Sequence, residues 1–73
     1  MIFSDSNDIN RCEGIVKKEL LKNSVDVNNE TLNKITLEIM NISYSKGGGY
    51  TDEVIQSFAE TYIEEGFYLK FIE

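Results

Sequence analysis

Residues 29–44, NETLNKITLEIMNISY, carry two apolar rows at helical spacing, and the fold is read outward from them. Leu32, Ile35, Ile39 and Ile42 form the first row; Leu37, Met40 and Tyr44 form the second. At about 100° per residue the rows flank a gap holding only the small polar residues Thr36 and Ser43, and together they cover roughly 220°. Lys34, Glu38, Asn41 and Ser45 are left to water. A helix apolar over so wide an arc predicts a place in the middle of a small protein, with neighbours on two sides.

The flanking stretches supply the neighbours. Upstream, the SDSND cluster offers helix caps, and with Ser6 or Asn7 as cap, Ile9, Cys12, Val16 and Leu20 make one buried row. Arg11, Lys18 and Lys22 fall opposite, the lysines near the end where the helix dipole favours cations. Gly14 weakens this helix by up to about 1 kcal/mol relative to Ala, which predicts a close approach of another element there. The linker NSVDVNN alternates weakly around Val25 and Val27, and Asn28 or Asn29 can cap the next helix. Downstream, Gly47 supplies the left-handed residue expected just past a helix end, and three successive glycines predict a loose connection.

A third helix starts at Thr51. Ile55, Phe58, Ala59 and Tyr62 form its apolar face, and Glu53, Ser57, Glu60 and Glu64 line the far side. Continued past Gly66, it would turn Phe67 and Phe71 onto that acidic stripe, so a break with Gly66 as cap is expected. The tail FYLKFIE alternates, and reads as a short strand whose candidate partners are residues 1–3, SVDV or a second copy of the chain. The predicted fold is mainly α: one domain of three helices, about 7–23, 29–45 and 51–65, with an aromatic C-terminal tail.

Composition sets the wider bounds. With 41% hydrophobic and 27% charged residues in 73, the chain is of a globular type, with one small core. No apolar run reaches the roughly 20 residues that span a bilayer, the N-terminus lacks signal-peptide character, and a single Cys12 suits a reducing compartment, so a cytoplasmic location is expected. The net charge of −6 is unevenly distributed. Residues 1–23 are neutral overall, whereas residues 47–73 hold six acids and one base. Such a surface repels phosphate, which argues against direct nucleic-acid binding.

Catalytic and cofactor motifs fail on residue type. KGGGYTDE precedes a helix, but no Gly-Lys-Ser/Thr follows and two carboxylates stand where an anion would approach. The chain has no histidine, which removes the usual base for a Ser or Cys nucleophile. Glu60 with Glu64, or Asp52 with Glu53, could share a divalent cation, but with no second pair to complete a ligand set they read as a solvated acidic face. Cys12 reads as a packing residue. No catalysis, cofactor or metal is expected.

The expected function is a non-enzymatic protein-binding module that occupies a basic, nucleic-acid-binding surface of a larger protein and so inhibits it. Its contact would be Asp52, Glu53, Glu60, Glu64 and Glu65, with Tyr50, Phe67, Tyr68 and Phe71 as aromatic anchors. Small acidic inhibitors of phages and mobile elements, immunity proteins and antitoxins share this general profile. The alternative is a self-associating structural or regulatory subunit, a homodimer paired through the 67–72 tail, whose aromatics otherwise serve to fill a small core.

Overall fold

A computed structural model describes residues 6–72 as an all-helical bundle: α1 (Ser6–Lys22), α2 (Asn29–Ser45), α3 (Asp52–Glu64) and a C-terminal 3-10 turn (Phe67–Phe71). Each helix packs against the other two, and the turn lies against α2 and α3. The expected α1 row is the observed one, with Cys12, Val16 and Leu20 buried and Ile9 half-buried. Because α1 starts at Ser6, the proposed caps Ser6 and Asn7 are already helical. The suggested strand partner at residues 1–3 also lies outside them.

The central helix is buried over a narrower arc than its apolar rows imply. Leu32, Ile35, Ile39 and Met40 are buried, but Leu37 and Tyr44 of the second row are exposed, Tyr44 to 61%. The buried face is centred on the gap between the rows: Thr36 and Ser43 are both fully buried. Their small side chains let the neighbouring helices come close, and their hydroxyls do not go unpaired. Thr36 Oγ1 donates to the Leu32 carbonyl at 2.7 Å and Ser43 Oγ to the Gly49 carbonyl at 2.8 Å. Period alone cannot separate a two-sided apolar helix from one that buries a small polar seam.

Two helix ends share one geometry. After α2, Gly47 (φ 82°) bonds back to the Tyr44 carbonyl at 3.0 Å and Gly48 to the Ser43 carbonyl at 2.8 Å, a Schellman closure. A Cβ on Gly48 would lie 2.8 Å from Ser43 Oγ, so Gly48 is a fitted position in the corner, whereas a Cβ at Gly49 would meet nothing within 4 Å. After α1 the same pair of bonds runs from Ser24 to Leu21 (3.0 Å) and from Val25 to Leu20 (2.9 Å), but the left-handed position is Ser24, at φ 61°. Val25 and Val27 are half-buried against the core and form no strand. Asn28 accepts from the Thr31 amide at 2.8 Å and Thr51 from that of Val54 at 3.4 Å, so both caps are side-chain caps.

α3 ends as expected, with Gly66 left-handed at φ 79° and its amide 3.0 Å from the Ile63 carbonyl. Ile55, Ala59 and Tyr62 are buried as read, joined by Ile63, and Phe58 is half-buried. The tail departs from its alternating pattern. It winds into a 3-10 turn, with Leu69 bonded to the Gly66 carbonyl at 3.1 Å, and among the described residues there is no strand for it to pair with. Tyr68 and Phe71 pack against the core. Gly14 is exposed, and a Cβ there meets nothing within 4 Å, so no element of the bundle approaches it closely.

Ile39, fully buried in the middle of α2, gives the direct check of this core. Ile39→Ala should destabilise by roughly 2–5 kcal/mol, read as a fall in the denaturant midpoint. The strain at Ser24 predicts the opposite sign: a left-handed L-residue costs about 1–2 kcal/mol, so Ser24→Gly should raise stability by about 1 kcal/mol. In a domain this size that is a rise of roughly 4–8 °C in Tm.

Candidate functional site

The outer face of α3 carries the acidic residues singled out by the sequence. Glu53, Glu60 and Glu64 stand on one exposed stripe with Ser57, and Glu65 is exposed at the helix end. No cation among the described residues lies within ion-pair distance of any of these four carboxylates. Asp52 differs. It receives Arg11 Nη1 from α1 at 2.5 Å, while Nη2 of the same guanidinium reaches Asp8 at 3.3 Å. Asp52 therefore ties the start of α3 to α1, and the hydrogen bond to Asp52 is the main reason the Arg11 pKa is raised.

Beside the stripe, α2 and α3 leave a shallow open groove of about 240 Å³. Ile42 and Lys46 line it from α2, Ser57, Phe58, Thr61 and Tyr62 from α3, and Phe67 closes one end. Ser57 belongs to both surfaces, so the carboxylates form a rim along one wall of an apolar trough. Phe67 is 54% exposed, and its ring sits 5.7 Å from that of Tyr62 at a tilt of 56°. The other predicted anchors are elsewhere. Tyr50 precedes α3, a helix of 13 residues and so about 20 Å long, and lies at the end opposite to Phe67. It is half-buried against the core, its hydroxyl enclosed without a hydrogen-bond partner. Tyr68 and Phe71 are likewise packed inward.

Glu38, assigned by its spacing to the water-facing strip, holds the tail in place. One carboxylate oxygen accepts from Lys70 Nζ at 2.7 Å and the other from the Tyr62 hydroxyl. Lys70 also lies 5.2 Å from the centre of the Phe71 ring. Partial burial pushes the Glu38 pKa up, but the hydrogen bonds from Lys70 and Tyr62 outweigh it and hold the carboxyl below its ordinary value. Tyr62 is pushed well above the ordinary tyrosine value, first by burial and then by the hydrogen bond it gives Glu38. Glu19 was also missed: it is buried, and Lys22 reaches its carboxylate at 3.2 Å from the solvent side. The partners of Glu38 come from α3 and the tail, so no spacing within α2 marks it, whereas Glu19 and Lys22 stand at the i,i+3 spacing of a helical ion pair within α1.

Cys12 is fully buried, and burial raises its pKa, which keeps the thiol protonated and unreactive. Among the described residues no three His, Cys, Asp or Glu side chains gather as metal ligands, and no helix is long and apolar enough to cross a membrane. Comparison of the chain with protein-family models, with curated proteins and with solved structures finds no match.

The Glu38 cluster makes stability pH-dependent at both extremes. Glu38 has a lowered folded pKa, so its contribution is complete above the ordinary carboxylate value of about 4.3 and is lost as pH falls through the lowered one. Tyr62 has a raised folded pKa, so its contribution is complete below about 10 and is lost as pH climbs toward the raised value. Thermal melts across pH should show Glu38→Gln less stable than the parent at neutral pH, with the gap closing in acid.

Proposed function

We propose that this chain is a non-enzymatic binding module whose α3 face occupies a basic surface on a larger protein and thereby blocks it. The observation that carries the reading is the stripe of Glu53, Glu60 and Glu64, with Glu65 at its end: four exposed carboxylates with no cation paired to them among the described residues. Carboxylates left unpaired on a rigid helix retain their field for an incoming partner, steer its approach and fix its orientation. Their neighbour, the Phe58–Tyr62–Phe67 groove, offers apolar area that desolvates on contact. Covering or imitating a nucleic-acid path on a host enzyme is the action such a surface suits best, of the kind that phage and mobile-element anti-defence proteins, antitoxins and immunity proteins perform.

Of the residues first assigned to the contact, Glu53, Glu60, Glu64, Glu65 and Phe67 remain in the proposal. Asp52 is engaged by Arg11, and Tyr50, Tyr68 and Phe71 are packed inward. Pairing through a tail strand loses its support, because the tail is a 3-10 turn clasped to α2.

The test is affinity capture on the immobilised chain from an extract of the cell that makes it, followed by a nucleic-acid-binding assay of the captured protein. Reversing Glu53, Glu60 and Glu64 to Lys should change stability by no more than about 0.5 kcal/mol, since all three face water. Capture should be lost, and capture by the parent chain should weaken with salt. Retention of the same partner by the reversed variant, with unchanged salt dependence, removes the acidic face from the mechanism.

A further inference from the structure

Gly14 costs α1 about 1 kcal/mol relative to Ala, and nothing inside the bundle offsets it, because a Cβ there would meet open space. Around it α1 presents a face unlike the rest of this acidic chain. Lys17 and Lys18 are exposed and, among the described residues, paired with no carboxylate. Leu21, one turn on, is 53% exposed. At helical spacing these four residues fall within roughly 100°. The face is a large apolar side chain set between two cations, next to a stretch where the backbone is bare enough for another helix to lie close.

That description is the complement of the α2–α3 groove. The groove is apolar along Phe58, Tyr62 and Phe67, and carries its acidic stripe on the α3 wall. Its volume of about 240 Å³ is below the roughly 300–1,000 Å³ of small-molecule sites and suits an inserted side chain. Lys46 is the one cation on its lining, and it stands on the α2 wall, across from the stripe. α1 contributes nothing to the groove, which opens on the side of the bundle away from it.

We infer that the chain associates with itself head to tail: α1 of one copy lies along the groove of the next, Leu21 enters beside Phe58 and Phe67, and Lys17 and Lys18 meet Glu53, Glu60 and Glu64. Because donor face and acceptor groove lie on opposite sides, one pair cannot satisfy both, and the contact propagates. The net charge of −6 does not forbid it. The molecule is 19–28 Å across, so repulsion between whole copies acts over more than the Debye length of about 8 Å, whereas the paired faces act within it. The inference is independent of the proposed function, since it needs no foreign partner, although both uses draw on the same α3 face.

Sedimentation velocity and light scattering on the full chain test it, with two sets of neutral surface substitutions. One blocks the donor face (Lys17→Gln, Lys18→Gln, Leu21→Gln); the other blocks the acceptor rim (Glu53→Gln, Glu60→Gln, Glu64→Gln). Circular dichroism first establishes that both sets keep parental helicity. The parent should grow with concentration beyond the mass of two chains, and each blocked set should associate at least about tenfold more weakly. An equimolar mixture of the two sets should stop at a one-to-one pair, the groove of the first holding α1 of the second. A parent that stays a single chain at every concentration, one that closes as a dimer, or a mixture that forms no pair overturns the inference.

Discussion

The hydroxyl of Ser43 is the point on which the arrangement of the three helices turns. It is fully buried, so it needs a partner, and the partner it takes is the Gly49 carbonyl, beyond the end of its own helix. That bond, with the Gly48 amide on the Ser43 carbonyl, closes the α2–α3 corner over a span too tight for any side chain at Gly48. The direction in which α3 leaves is therefore set by a small polar residue in the middle of a buried face. Thr36, two turns earlier, gives the seam its other small member and donates its hydroxyl hydrogen bond to the Leu32 carbonyl. Larger apolar residues at either position would hold the helices apart and take the core out of register.

What could be read along the chain was whatever a single helix decides for itself. The α1 row, a cap at Asn28 or Asn29, the left-handed Gly47 and the stop at Gly66 all follow from local spacing or from backbone preference, whereas Thr51, read as the first residue of α3, is its cap. Burial did not follow so simply. Leu37 and Tyr44 look like core by hydrophobicity, yet they sit beyond the reach of α1 and α3, and the seam between the rows is what packs. The tail failed for a related reason. Alternation in FYLKFIE is real, but a strand needs a partner edge, and the acceptor at hand was a carboxylate on α2, which binds a helical turn through Lys70 as readily.

The candidate surface was legible to the same extent. Exposed carboxylates at seven- and four-residue spacing on α3 can be foreseen, since amphipathicity alone turns them outward. Which of the acids is engaged depends on contacts between helices: Asp52 meets Arg11 across 41 positions of chain, and no periodicity carries that. The aromatic anchors were grouped by sequence proximity to the acids, and the length of α3 separates Tyr50 from Phe67. The groove itself, a product of Ile42 and Phe58 facing each other from different helices, has no signature in either segment alone.

The C-terminal turn is fastened differently from the rest of the bundle. Tyr68 and Phe71 are only half-buried, Leu69 and Ile72 are about half exposed, and the polar fastening is the Glu38 cluster. Segments with few buried contacts open at a lower free energy than the domain unfolds. Opening this one carries away Phe67, the end wall of the groove, while Ile35, Ile39 and Ile55 stay packed. The shape of the outer surface is thereby uncoupled from global stability, and amide protons of residues 67–72 would exchange with solvent on a faster clock than those of the three helices that support them.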